Sequence, residues 1–108
     1  MSAITVALET SARSASVAVR SDERTLELAL EPGRAHATDL LPAIDRMVRE
    51  LGGEPREIAL VLVGTGPGSY TGLRVGITVA KTLAFATGAR IVAVPSVEVL
   101  AKLQIAIV

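Results

Sequence analysis

A chain of 108 residues, half of them apolar and a fifth charged, has room for one compact domain with a real core and little beyond it. Eleven basic residues balance eleven acidic ones, so no surplus of positive charge favours tight, direct binding to a nucleic-acid backbone. With no cysteine, disulfides, thiol chemistry and cysteine-based zinc sites are excluded, and every apolar run is well short of the roughly 20 residues that span a membrane.

The chain opens MSAITVALETS. No basic region precedes its apolar run, as a secretory leader requires, and the expected location is cytoplasmic. Residues 3–8 are a continuous, β-branched apolar run, the pattern of a buried strand, with Glu9 directly behind it and a small polar turn over residues 10–14. Residues 16–20 predict a second strand with Val17 and Val19 on one face. After a polar turn at 21–24, residues 25–31 alternate, Leu26, Leu28 and Leu30 against Glu27, Ala29 and Glu31, which predicts a strand with one buried face. Short turns between these three strands make an antiparallel meander.

Pro32-Gly33 opens a loop that runs to His36, and from Thr38 the period changes. Leu40, Leu41, Ile44, Met47, Val48 and Leu51 follow the spacing of an amphipathic helix. Asp45 with Arg49, and Arg46 with Glu50, stand four apart on its wet face. A cap at Thr38 or Asp39 puts Pro42 in or near the first turn, where proline is tolerated, and Gly52-Gly53 followed by Pro55 ends the helix. Residues 58–63 predict a central strand. A glycine-rich loop then feeds a helix that runs to residue 87 and stops at Gly88; residues 90–94 predict a last buried strand, and Pro95-Ser96 start a final helix to residue 102. The order βββαβαβα predicts an α/β fold with a mixed five-stranded sheet carrying helices on its faces, the layout of a ribonuclease-H-like, or actin-like, lobe. Residues 1–103 form that single lobe and 104–108 an apolar tail.

Four features bear on chemistry. Gly64 to Gly76, reading GTGPGSYTGLRVG, sits between strand and helix; its glycines bring backbone close to something, either a packed neighbouring loop or an anion at the helix N-terminus. No Lys-Ser or Lys-Thr pair follows, so it is not a Walker A loop. Along the helix Gly72, Gly76, Ala80, Ala84 and Gly88 recur every fourth residue, a stripe of small side chains suited to close packing, against the domain's own sheet or against a partner. Glu9 at a strand end reads as an acceptor that organises its loop. His36, the one histidine, cannot make a metal site alone, and no spacing pairs it with Ser69 as a nucleophile. Tyr70 and Phe85 are the only aromatics, which leaves no stacking platform for single-stranded nucleic acid.

The run GPGSYTGLRVGITVAKTLAF, residues 66–85, resembles the signature of the TsaB (YeaZ) family. ITVALETSARSASVAV at 4–19, GRAHATDLLPAID at 33–45 and IVAVPSVEVLA at 91–101 resemble, in order, that family's first two strands, its loop and first helix, and its last N-lobe strand and helix. The family belongs to the actin-like superfamily, is related to the metal- and ATP-using TsaD enzymes, and has been grouped with the glycoprotease, or peptidase M22, proteins. TsaD-like enzymes bind metal through a histidine pair, and this chain offers His36 alone. The resemblance therefore implies a non-catalytic scaffold that dimerises with a TsaD-like subunit and supports threonylcarbamoyl transfer to adenosine 37 of tRNA. A TsaE-like ATPase is a further partner, and ATP and metal are expected on the TsaD-like subunit. The other readings are a fragment of an actin-like ATPase or of an M22-type metallopeptidase, and a small-anion or nucleotide-binding module without turnover. The resemblance places a first phosphate loop at Glu9, Thr10 and Ser11, to which the glycine-rich loop adds Gly66, Gly68 and Ser69 as anion-binding candidates. It places partner contacts on the two helices, at Leu40, Leu41, Ile44 and Met47 and at Gly72, Gly76, Ala80 and Ala84, with a homodimer in isolation. Two departures stand out: Glu9 occupies the place of the TsaB branch's aspartate, and family members are about twice as long, so the second lobe is expected to be absent from these residues, as in a truncated or a naturally short form.

Overall fold

A computed structural model of the chain describes residues 3–10, 15–22, 24–30, 37–66 and 70–95. Five strands and two long helices follow in the order β1 Ile4–Glu9, β2 Ser16–Arg20, β3 Thr25–Ala29, α1 Ala37–Glu50, β4 Ile58–Gly64, α2 Tyr70–Thr87 and β5 Arg90–Val94, with a single 3-10 turn at Pro55–Glu57. The strands make one sheet in the order β3-β2-β1-β4-β5. β1 pairs antiparallel with β2 and β2 with β3, while β1 with β4 and β4 with β5 run parallel. The predicted meander and parallel strands are therefore both present, and the sheet is mixed.

Register explains which side chains meet. Val6 lies between Val19 and Val61, and Leu8 between Val17 and Val63, so alternate residues of three strands point to one face. Ile4 pairs with Ile58 but Thr5 with Leu60, which makes Ala59 the extra residue of a bulge at the far end of the sheet. On that face Leu40, Ile44, Met47 and Val48 of α1 and Val79, Ala80 and Leu83 of α2 close the main core. Leu40 and Val48 are fully buried, each in the middle of a continuous apolar contact. Both described helices occupy the same face. The two crossovers travel the same way across the sheet, β3 to β4 and then β4 to β5, and connections of one hand travelling one way put their helices on one side. Ala7, Ala18, Leu62 and Val94, with Leu60 and Val92, line the opposite face. The final helix predicted from residue 96, and the tail, lie outside the described residues.

α1 starts at Ala37, so Pro42 is its sixth residue rather than a first-turn one. The apolar face of the helix outweighs that break, and Pro42 is exposed, on the solvent side of the helix. Asp45 and Arg49 form the expected ion pair at 3.2 Å on the exposed face. Arg46 and Glu50 do not pair; instead the Glu50 carbonyl accepts from Arg24 of the β2–β3 turn at 3.3 Å. At the end of α1, Gly52 turns with φ 84° while the Gly53 N–H donates to the Val48 carbonyl at 3.1 Å. Among the described residues no helix is long and apolar enough to cross a membrane.

Candidate functional site

The carboxyl ends of β1 and β4 lie side by side, because Leu8 is in register with Val63. In open α/β sheets this edge is where ligands are held, since the loops leaving parallel strands converge there. β1 delivers Glu9 and Thr10, which are 3% and 2% exposed. β4 delivers Gly64, Thr65 and Gly66. The Thr65 N–H and hydroxyl both donate to the Val94 carbonyl, at 2.8 and 3.1 Å, and so tie the start of the glycine-rich loop to the end of β5. Gly66 is buried with φ 95°, a backbone that a side chain would strain.

Thr10 links this edge to α2. Its hydroxyl donates to the carbonyl of Gly72, 2.5 Å away in the first turn of the helix. One turn further on, Gly76 is the notch that admits it, for a Cβ there would collide with the Thr10 hydroxyl and stand 3.3 Å from the Val63 side chain. Of the six anion-binding candidates, Glu9, Thr10 and Gly66 thus come to the same end of the sheet, and Ser11, Gly68 and Ser69 lie outside the described residues, as does His36. The Thr10 hydroxyl is committed to Gly72 and does not point a proton at a ligand. Among the described residues no three His, Cys, Asp or Glu side chains gather as a metal site would need.

Burial corrects the partner surface. Leu40, Ile44 and Met47 are at most 7% exposed, Ala80 is 1% exposed, and Gly76 is buried against Thr10 and Val63. These five are spent on the chain's own sheet and have no area left for a second protein. The small-residue stripe is inward because α2 crosses β1 and β4 closely, and a larger side chain at Gly76 would push it off. Leu41, Gly72 and Ala84 remain half-buried. The outward face of α2 instead carries the exposed Arg74, Thr78, Lys81 and Thr82, together with Ile77 at 39% and Phe85 at 83% exposure. Ile91 on β5 is a further large apolar residue in water, at 40%. The signal for this face was present in the sequence: Ile77, Lys81 and Phe85 keep a four-residue spacing of their own, on the side opposite the glycines.

Comparison with known proteins gives the following likenesses. The family model described as "TsaD: tRNA N6-adenosine threonylcarbamoyltransferase" matches residues 30–105. The tRNA threonylcarbamoyladenosine biosynthesis protein TsaB of Bacillus subtilis (strain 168) is 35% identical over 97 residues, which is 89% of this chain and 42% of that protein. A tRNA N6-adenosine threonylcarbamoyltransferase of Thermomicrobium roseum is 44% identical over 52 residues, 48% of this chain and 14% of the enzyme. Among solved structures, YeaZ from Pseudomonas aeruginosa superposes with a TM-score of 0.77 at 34% identity, covering 86% of this chain and 44% of that one. The chain thus spans less than half the length of the TsaB and YeaZ proteins it matches.

Proposed function

Since the chain belongs to the TsaD family, and its long matches within it are TsaB and YeaZ proteins, we propose that it serves tRNA threonylcarbamoyladenosine biosynthesis as a non-catalytic scaffold lobe. In this reading it binds a TsaD-like subunit, and the ATP and metal of the reaction belong to that subunit, with a TsaE-like ATPase completing the set. The observation that carries the reading is the outward face of α2. Phe85 is 83% exposed and Ile77 is 39% exposed on a helix whose small residues are all turned inward or to its ends. Large apolar side chains held in water on a rigid helix are what a helix–helix interface buries. The TsaD family model matches residues 30–105, which include both described helices, so in this reading chain and partner present related helices, and the same face would serve a homodimer when the partner is missing.

Titration of the chain against the TsaD-like subunit of the same organism, by calorimetry, tests this. Phe85→Ser is expected to weaken binding by about tenfold or more, the range of an aromatic anchor at an interface centre, without lowering thermal stability. Binding that is indifferent to Phe85 and Ile77, or no binding by the unaltered chain, would overturn the scaffold reading.

A further inference from the structure

We infer that Thr10 is a positioning residue for the partner surface: from the end of β1 it holds the first turn of α2, and with it the Ile77 end of the outward face, against the sheet. Thr10 is 2% exposed and makes a hydrogen bond that crosses 62 residues of sequence to reach the Gly72 carbonyl. Gly76 gives it a seat that no other residue type would leave open. A helix begins with its least supported turn, because its first N–H groups have no partner within the helix. Here that turn follows a glycine-rich loop, and Gly72 and Gly76 lower its intrinsic helicity further. The Thr10 hydroxyl does not accept from those N–H groups; it tethers the turn from outside through the Gly72 carbonyl. Ile77 is the residue after the notch, so the orientation of its exposed side chain follows the seating of Gly76 on Thr10. Phe85 lies eight residues further along, beyond Val79, Ala80 and Leu83, which anchor that half of α2 in the core. Packing therefore holds the Phe85 end, whereas at the Ile77 end one buried hydroxyl adds to the packing of Val75 and Gly76. As Thr10 adjoins Glu9 and the β1 loop, the same contact joins the carboxyl edge of the sheet to the partner face.

Two measurements on the 108-residue chain test this, and only the second rests on the partner reading. In amide hydrogen exchange, Thr10→Val, which keeps the shape and removes the hydroxyl, is expected to speed exchange at the amides of residues 74–76 by about three- to tenfold, the worth of one hydrogen bond, and to leave residues 80–87 unchanged. Thr10→Ser should stay within about twofold of the unaltered chain. Val48→Ala, a core deletion in α1, serves as the control that lowers global stability without that local pattern. In titration with the TsaD-like subunit, Thr10→Val should weaken binding by about three- to tenfold and Thr10→Ser restore it, while Val48→Ala, still folded at the working temperature, binds normally. Exchange that rises evenly along α2, or a serine variant that behaves like valine, would overturn the inference. So would a local exchange effect without any loss of affinity. If the unaltered chain fails to bind, the partner reading falls, and the exchange measurement still decides the role of Thr10.

Discussion

At Gly76 one added methyl group would meet the Thr10 hydroxyl and crowd Val63. Two effects oppose each other there. Alanine favours a helix by about 0.8–1 kcal/mol over glycine, whereas overpacking a closed site costs about 1–3 kcal/mol. Thr10 is tied to Gly72 and cannot step aside cheaply, so the packing term wins. Gly76→Ala is expected to lower the unfolding free energy by about 1–2 kcal/mol in a urea titration, with Gly76→Leu unfolding the chain rather than turning a dimer into a monomer. Gly66 is a different case, since there the backbone and not the space decides. With φ 95° and the residue buried, Gly66→Ala should cost about 1–2 kcal/mol, read as a lower melting temperature with no ligand present. If the alanine variant melts like the unaltered chain, the loop does not need that backbone conformation.

At the scale of the element, α1 and α2 owe their stability to different things. α1 has a sharply divided apolar face and tolerates Pro42 at its sixth position, on the exposed side of the helix. Proline in a helix interior costs up to about 3 kcal/mol relative to alanine, partly recovered where the break is solvated. Pro42→Ala is accordingly expected to raise stability by about 1–2 kcal/mol, seen as a higher urea midpoint at constant slope. A lower midpoint would mean that the bend at Pro42 is itself required for packing on the sheet. α2 is apolar on more than one side, so its packing cannot be inferred from a single stripe. Val79, Ala80 and Leu83 go to the sheet, and Ile77 and Phe85 are left in water.

For the molecule as a whole, equal numbers of acidic and basic residues set a limit on what it does alone. Without a basic surplus or an aromatic platform, tRNA binding by the chain alone should stay in the non-specific range, about 10⁻⁶ M or weaker at physiological salt, as measured by fluorescence anisotropy. Affinity in the nanomolar range would place a recognition surface on this lobe and shift the tRNA contact away from the partner. α2 rests on β4, β5 and β1 and α1 on β2, and the crossovers place both described helices on one side of the sheet.

Local sequence signals were enough to delimit β2 and β5 and the end of α2, to separate the antiparallel meander from the parallel strands, and to mark the glycine-rich loop as the join between β4 and α2, whose first turn at Tyr70 begins inside the stretch read as loop. These follow from contacts within a few residues and from the alternation of apolar side chains, which a linear chain carries in full. The resemblance of residues 66–85 to one family was legible for the same reason. The direction of the small-residue stripe was not. It depends on Thr10 meeting Gly72 and Gly76 across more than sixty residues, and an isolated helix with two apolar sides does not say which of them the sheet will take. Pro42 fell inside α1 because the tertiary gain of burying Leu40, Ile44 and Val48 exceeds a local penalty that sequence rules weigh alone. The outward face of α2 was decided the same way: once the sheet had claimed Gly76 and Ala80, Ile77 and Phe85 were what remained outside.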